Sequence, residues 1–331
     1  MSEWRADPVT GQWTLVADDL PLSRRDFVLD GANRPLDQPC PLCEGRESAA
    51  GREIFAVRSH SMPDGPGWQL RVVPNRVPAL RVEAGTSEAH DGLLTHRPGL
   101  GAHEVVIESP RHDATWYGLP ADDLARAFAA WRARMADLRH DSRLKAAVAF
   151  KNHGAEAGAR LVHPHSQIMA TPLVPPALSQ EVAEARRHHG ATGRCLFCDL
   201  IAQERTAALR LVADTGDHLV LAPYASRVPF ETWVVPVAHG ARFDEAPDAA
   251  MRPLADAVRR VLDRMAEELE APAFNAVLRS APFDEPGDGA YHWYLALLPR
   301  VLRPGGFDLT SGVAVNPVSP EKAARVLRVR T

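Results

Sequence analysis

Two segments of the chain carry apolar residues at the spacing of an amphipathic α-helix. The stripes consist of Leu124, Phe128, Trp131, Met135 and Leu138 in the first segment and of Leu254, Val258, Val261, Met265 and Leu269 in the second. Intervals of three and four residues place each set on one helix face. Asp122 and Asp123 stand where they suit the positive N-terminal end of a helix dipole. We therefore expect two helices, each packing its apolar face on a core.

Strand-like apolar runs surround both predicted helices in the same order. They cover residues 104–108 and 146–150 around the first helix, and residues 231–236, 273–278 and 291–298 around the second. A Cys-x-x-Cys motif precedes each set, at Cys40–Cys43 and at Cys195–Cys198. This repetition indicates an internal duplication.

The length of 331 residues fits two such units better than one large core. Hydrophobic residues make up 45% of the chain and charged residues 24%, which is the ordinary balance of a globular protein. We predict one unit over residues 1–178 and the other over residues 190–331, with an interdomain linker around residues 175–194.

The four cysteines all belong to the two Cys-x-x-Cys motifs. In a reducing compartment such pairs are more typical of zinc-binding thiolates than of disulfides. Each pair needs two further ligands to close a tetrahedral site, and imidazoles are the usual choice. Pairs of buried free thiols, or thioredoxin-like redox motifs, are the alternatives.

The duplication selects four of the fourteen histidines. Each unit has one histidine at the end of a strand and another beyond the next helix, 51 positions apart for His112 and His163 and 53 apart for His239 and His292. We predict two closed zinc sites, both structural because four protein ligands leave no open position. Their ligands are Cys40, Cys43, His112 and His163 at the first site, and Cys195, Cys198, His239 and His292 at the second.

The two copies differ in the residues that follow the second predicted zinc histidine, His163 in the front copy and His292 in the back copy. If His163 matches His292, then His165 matches Tyr294 and Gln167 matches Ala296. Zinc ligation leaves His165 without a structural task, so it is the candidate nucleophile or general base. Gln167 could donate a hydrogen bond to phosphoryl oxygens. The alternative is a structural histidine beside an exposed glutamine.

A glycine-containing segment precedes these residues, running from Lys151 to Arg160 with glycines at 154 and 158. Its small residues are typical of a loop whose backbone amides approach an anion. A phosphate held there would lie beside His165, and an imidazole can attack phosphorus to form a covalent phosphoramidate.

The formal net charge of −4, with scattered basic residues, argues against nucleic acid as a partner. No apolar stretch approaches the length of a membrane span, and the first thirteen residues lack the features of a signal peptide. We expect a cytoplasmic protein that has no membrane partner and binds a small anionic ligand.

Residues 150–167 (FKNHGAEAGARLVHPHSQ), with residues 7–13 (DPVTGQW), resemble galactose-1-phosphate uridylyltransferases and their relatives in the histidine-triad superfamily. Shorter matches occur near the carboxyl end, at residues 305–307, 316–317 and 320–321. The resemblance implies an α+β fold of two tandem histidine-triad-like units, each an antiparallel sheet with a covering helix, and a homodimer. It also implies transfer of a nucleoside monophosphate through a covalent nucleotidyl-histidine.

The resemblance assigns roles to individual residues. His165 would be the nucleophile, Gln167 the phosphate-binding amide, and His163 a zinc ligand whose backbone helps to orient His165. The substrate-binding residues would be Asn75 at the ribose, Asn152 and Gly158 at phosphate, and Arg160 and Ser166 beside them. Two Zn²⁺ ions per chain match the two-zinc members, including the plant ADP-glucose phosphorylase-like branch.

Two features depart from the family pattern. Arg160 stands where the pattern has a serine that contacts phosphate, and the tail around Val315 lacks the residues with which galactose transferases hold the hexose. The predicted activity is transfer of UMP between a nucleoside-diphosphate sugar and a sugar 1-phosphate. The alternatives are an ADP-glucose phosphorylase that uses phosphate, a histidine-triad hydrolase, and a two-zinc nucleotide-binding module with altered catalysis.

Overall fold

A computed structural model describes residues 2–6, 13–16, 39–285 and 289–328. The motif at residues 7–13 therefore lies, except for its last residue, outside the described residues. The strands are β1 (Glu3–Ala6), β2 (Trp13–Val16), β3 (Phe55–Arg58), β4 (Trp68–Pro74), β5 (Ala89–Asp91), β6 (Leu94–Pro98), β7 (Ala102–Ile107), β8 (Ala146–His153), β9 (His165–Thr171), β10 (Leu211–Asp214), β11 (His218–Leu221), β12 (Thr232–Pro236), β13 (Phe274–Arg279) and β14 (Tyr294–Pro299). The α-helices are α1 (Glu47–Ala50), α2 (Ala121–Leu138), α3 (Pro176–Thr192), α4 (Leu196–Ala207), α5 (Met251–Leu269), α6 (Gly306–Ser311) and α7 (Pro320–Leu327).

Ten of these strands form one antiparallel sheet in the order β10-β11-β12-β14-β13-β8-β9-β7-β4-β3. The order is mirrored about the central pair β8 and β13, with five strands from each half of the chain. A separate four-stranded sheet has the order β2-β1-β6-β5. The predicted α+β class with antiparallel sheets is confirmed. The boundaries at residues 178 and 190 stay a prediction, and the segment between them is part of α3.

Helices α2 and α5 cover one face of the large sheet and contact each other. Both predicted apolar stripes point into this core: all five residues of the first are buried, as are four of the second, while Leu269 is partly buried. Asp122 and Asp123 lie in the first turn of α2, as predicted. No helix in the described ranges is long and apolar enough to cross a membrane.

The opposite face of the sheet differs between the two halves. In the back half, α3 and α4 cover it with an apolar cluster that includes Val182 and Phe197. In the front half, a smaller cluster forms where Leu42 packs against Val73 and Val105. This arrangement leaves an open cleft over the front half of the sheet, above β7 and β9.

Candidate functional site

The first cysteine pair meets two histidines at the edge of the front-half sheet. Cys40 and Cys43 precede α1, His112 follows β7 and His163 lies two residues before β9. The four ligand atoms all lie within 4.8 Å of one another. The Sγ atom of Cys43 is 3.3 Å from Nδ1 of His112 and 3.6 Å from Nδ1 of His163. The structure therefore brings together the first predicted ligand set.

The second cluster repeats this arrangement in the back half. Cys195 caps the start of α4, Cys198 lies in its first turn, His239 follows β12 and His292 precedes β14. The four ligand atoms again lie within 4.8 Å of one another. The Sγ atom of Cys198 is 3.5 Å from Nδ1 of His239 and 3.9 Å from Nδ1 of His292.

The donor set and its surroundings suit a zinc ion. Nε2 of His163 donates to the carbonyl oxygen of Ser109 at 2.8 Å, which leaves Nδ1 unprotonated and facing Cys43. Zinc-binding histidines usually donate their other ring nitrogen in this way. Burial and the neighbouring Cys40 raise the pKa of the Cys43 thiol, so two thiolates at this place need a cation beside them.

A cleft of about 950 Å³ opens beside the first cluster. Its walls come from the Cys-x-x-Cys loop, the ends of β4 and β7, strand β9 and the glycine-containing segment. None of the described residues that line it is an aspartate or a glutamate, whereas Arg76 and Arg160 both reach its rim. The cleft is therefore electrostatically suited to an anion.

His165 begins strand β9 and lines this cleft, with only 9% of its surface exposed. Its Nδ1 atom lies 2.8 Å from the carbonyl oxygen of His163. A carbonyl only accepts, so Nδ1 carries the proton and the lone pair is on Nε2. No described residue forms a hydrogen bond with Nε2. Burial, and then the nearby Lys151 charge, lower the pKa of His165, so the imidazole is neutral.

A buried ion pair supports the backbone of His165. The Lys151 ammonium donates to the His165 carbonyl oxygen at 2.9 Å and to the Glu108 carboxylate at 2.8 Å. The Trp116 indole donates to the same carboxylate oxygen at 2.9 Å. Lys151 and Glu108 are 2% and 1% exposed, so this network is shielded from water. It fixes the strand start from which the imidazole projects.

Gln167 lies two residues beyond His165 on the same face of β9 and also lines the cleft. Its Oε1 atom is 2.7 Å from Nε2 of His103, a residue of β7. Nδ2 of Asn75, at the end of β4, is 3.0 Å from the same nitrogen. One imidazole thus contacts the predicted phosphate-binding amide and the predicted ribose-binding amide.

Asn152 enters the cleft from β8, held by a residue of the back half. Nδ2 of Asn275 on β13 donates to Oδ1 of Asn152 at 2.8 Å and to the carbonyl oxygen of Ala157 at 2.9 Å. The Arg300 guanidinium donates to Oδ1 of Asn275. This hydrogen bond fixes the orientation of the Asn152 amide group, with Oδ1 toward Asn275. The Nδ2 hydrogens of Asn152 are then available to donate to a ligand.

The glycine-containing segment is folded more tightly than the sequence indicated. The amides of Ala157 and Ala159 donate to the carbonyl of Gly154, and the amide of Gly158 donates to Ala155. These three amides therefore bond within the loop, and the expectation that the segment presents amides to an anion stays a prediction for its other residues. Gly154 has a φ of 83°, and a Cβ there would lie 2.6 Å from that of Ala273.

Of the two remaining residues predicted to contact substrate, Arg160 lies at the cleft and Ser166 does not. Arg160 is exposed at the cleft, and its guanidinium forms no hydrogen bond or ion pair with any described residue. Ser166 is not brought to the cleft: it is 1% exposed, and its hydroxyl accepts from the Trp131 indole of α2 at 2.8 Å. Alternation along β9 sends Ser166 to the face opposite His165.

Comparison with known proteins agrees with this geometry. The family model "Galactose-1-phosphate uridyl transferase, N-terminal domain" matches residues 1–175. ADP-glucose phosphorylase of Arabidopsis thaliana is 32% identical over 98% of this chain and 92% of its own length. Galactose-1-phosphate uridylyltransferase of Thermotoga maritima is 25% identical over 99% and 98%. The chain belongs to the galactose-1-phosphate uridylyltransferase family.

A solved structure of a family relative has the same fold throughout. The crystal structure of an ADP-glucose phosphorylase from Arabidopsis thaliana with bound ADP-glucose superposes with a TM-score of 0.78 at 29% identity, covering all of both chains. The resemblance inferred from the sequence motifs is thereby confirmed.

In the back half of this family member, the position that matches the cleft is covered by helix α3. Tyr294 begins β14 as His165 begins β9, and its hydroxyl lies 3.3 Å from Glu181 of α3. The Tyr291 hydroxyl donates to the same carboxylate at 3.0 Å. Helix α3 therefore occupies the position that remains open in the front half.

Sequence reasoning missed three residues of the site: His103, Glu108 and Asn275. His103 stands one residue before the strand predicted at residues 104–108, and its role depends on which strand lies beside β7. Asn275 acts across the contact between halves, and no local pattern marks it.

Proposed function

We propose that this protein moves a nucleoside monophosphate between a nucleoside-diphosphate sugar and an acceptor through a covalent bond to Nε2 of His165. The observation that carries the proposal is the hydrogen bond from Nδ1 to the His163 carbonyl, which leaves a lone pair on Nε2 in a cleft lined by no described carboxylate. A neutral imidazole with that tautomer is a competent nucleophile.

The reaction has two steps. In the first, the Nε2 lone pair attacks the α-phosphorus of the donor, and the bond to the bridging oxygen breaks, so that sugar 1-phosphate leaves with the electron pair. In the second, an oxygen of the acceptor phosphate attacks the same phosphorus, and its bond to Nε2 breaks. The Nδ1 proton stays on the ring and the His163 carbonyl stabilises the charge that the ring gains.

The other cleft residues hold the transferring group. Gln167 and Asn152 offer amide hydrogens to the phosphoryl oxygens, and Arg160 supplies a positive charge at the rim. Asn75 binds the ribose in this proposal. Positioning and charge neutralisation of this kind are most of what phosphoryl transfer requires of a protein.

We assign one Zn²⁺ to each cysteine and histidine cluster, two per chain. Zinc there supplies a structural crosslink, because four protein ligands close the tetrahedral site. At the first cluster it would tie the Cys-x-x-Cys loop, one wall of the cleft, to the histidine that precedes the nucleophile by two residues.

UMP is the nucleotide we assign to the donor, with a sugar 1-phosphate as the acceptor. The second candidate, an ADP-glucose phosphorylase that uses phosphate as the acceptor, is favoured by the 32% identical Arabidopsis relative of that name. The exposed Arg160, in place of the family serine, could bind either acceptor.

A cytoplasmic homodimer completes the proposal. None of the four cysteines forms a disulfide, which suits a reducing compartment. Phe307 and Leu309 are 61% and 77% exposed on α6, which supports an association of two copies through this end of the chain.

Radiolabelled donors test these assignments. The protein is incubated with UDP-glucose, UDP-galactose or ADP-glucose, each labelled with ³²P on the α-phosphate, and is quenched in alkali, where a phosphoramidate survives. The donor that labels the protein identifies the nucleotide. A chase with hexose 1-phosphate, phosphate or buffer alone then distinguishes a transferase, a phosphorylase and a hydrolase. Nucleotide binding without any label would leave only the nucleotide-binding module.

A further inference from the structure

His103 has a defined protonation pattern because of its backbone neighbour. The amide N–H of Ala79 donates to Nδ1 of His103 at 3.1 Å. Nδ1 is therefore an acceptor, and the proton of the neutral ring is on Nε2. Burial lowers the pKa of His103, which agrees with a neutral ring.

That Nε2 proton determines how the Gln167 side chain is oriented. Oε1 of Gln167 accepts from Nε2 of His103 at 2.7 Å, so the amide group is held with its oxygen toward His103. Its NH₂ group then remains free to donate. A glutamine without this partner presents oxygen or nitrogen to a ligand with similar ease, and an oxygen repels a phosphoryl group.

We infer that His103 is a positioning residue that fixes the Gln167 amide as a hydrogen-bond donor to the transferring phosphoryl group. This inference rests on the proposed function. His103 acts through Gln167 and need not touch the reacting phosphorus.

Asn75 approaches the His103 ring at the same nitrogen as Gln167. Its Oδ1 accepts the amide hydrogen of Val77 at 3.0 Å, and its Nδ2 lies 3.0 Å from Nε2 of His103. A protonated Nε2 accepts no hydrogen bond, so the Asn75 amide group is a neighbour of the ring and not its hydrogen-bond partner.

The back half lacks both members of the pair. Val105 pairs with Gln167 in the front half, and Trp233 pairs with Ala296 in the back half. Two residues before Trp233, at the position matching His103, stands Glu231, whose carboxylate accepts from the Trp233 indole and from a backbone amide. The back half therefore has alanine at the position of Gln167 and glutamate at the position of His103.

The test compares rates of covalent labelling of His165 by an α-³²P-labelled donor. His103→Ala is expected to slow the maximal labelling rate by roughly 10- to 100-fold, with a smaller change in donor affinity, because an oxyanion-type donor loses its orientation. His103→Gln keeps an N–H donor near the Nε2 position and is expected to recover part of the rate. The exposed His140→Ala is the matched control and should label like the wild type.

A double-mutant cycle separates positioning from a general structural role. In the Gln167→Ala background, His103→Ala is expected to cause no further loss, because its effect passes through the missing amide. Equal rates for wild type and His103→Ala would overturn the inference, and so would independent, multiplicative losses in the double variant. A wild-type protein that takes up no label would instead overturn the proposed function, and the inference with it. Zinc content and circular dichroism establish that each variant is folded.

Discussion

The imidazole of His165 is hydrogen-bonded through Nδ1 to the carbonyl oxygen of His163, at 2.8 Å. The same His163 directs its own Nδ1 at Cys43 in the first metal cluster. A structural metal site and the proposed nucleophile are therefore joined through His163. Loss of the metal should displace the His165 imidazole.

Loss of one metal site should therefore have different consequences in the two halves. Cys43→Ser and Cys198→Ser are each expected to lower bound zinc from two ions per chain to one, and the melting temperature by roughly 10 °C. Only Cys43→Ser should also abolish labelling of His165, because the first cluster orders the cleft wall. Elemental analysis, thermal melting and the labelling assay measure the three effects. Equal loss of labelling in both variants would contradict this coupling.

The buried Lys151–Glu108 pair should be strongly stabilising only as a pair. Lys151→Met leaves an uncompensated buried carboxylate and is expected to lower the free energy of unfolding by about 3–5 kcal/mol. Adding Glu108→Gln should recover part of that loss. Lys145→Met removes an exposed partner of Asp284 and is the control, with an effect below about 1 kcal/mol. Denaturant unfolding measures all three, and a double variant as unstable as Lys151→Met would contradict the account.

His218 should make the fold sensitive to acid. It is 2% exposed, neither ring nitrogen has a partner among the described residues, and burial lowers its pKa to about 4. The unfolded chain binds a proton near pH 6.5 and the folded chain does not, so stability falls as the pH decreases from about 6.5 to about 4. Replacement by leucine removes this loss. The free energy of unfolding of His218→Leu minus that of the wild type should therefore be about 2 kcal/mol larger at pH 5 than at pH 7.5.

Unfolding in denaturant at the two pH values measures this effect. His140→Leu changes an exposed histidine and serves as the control. A stability difference between His218→Leu and the wild type that is the same at both pH values would contradict the prediction.

Arg160 should contribute to binding of the anionic substrates through its charge. Arg160→Ser restores the residue of the family pattern and is expected to raise KM for the acceptor phosphate by roughly fivefold at low salt. Screening should reduce that difference at high salt. Arg187→Ser, on the exposed surface of α3, is the control for net charge. An unchanged KM would show that the guanidinium does not reach the acceptor.

Much of the fold could be predicted because its signals are local. The apolar stripes of α2 and α5 have helical spacing, and the order of elements repeats along the chain. The same repetition selected the eight cluster residues and left His165 unassigned. The duplication was therefore more informative about the site than any single motif.

The rest depends on contacts between distant segments. The role of His103 follows from the register that places β7 beside β9, and that of Asn275 from the pairing of β8 with β13. Its neighbours His165 and Gln167 make Ser166 a predicted substrate contact, although strand alternation directs its side chain into the core. The segment predicted as a linker, residues 175–194, is mostly helix, because residues such as Leu178 and Val182 cover the back-half sheet.

Locating the covalent nucleotide tests directly whether His165 is the nucleophile. Wild type and His165→Ala are incubated with the labelled donor, digested under alkaline conditions and analysed by peptide mass spectrometry. We expect one nucleotide per chain on His165 in the wild type, and none in His165→Ala, whose zinc content and circular dichroism should be unchanged. A nucleotide on any other residue, or substantial transfer activity in His165→Ala, would contradict the assignment of His165 as the nucleophile.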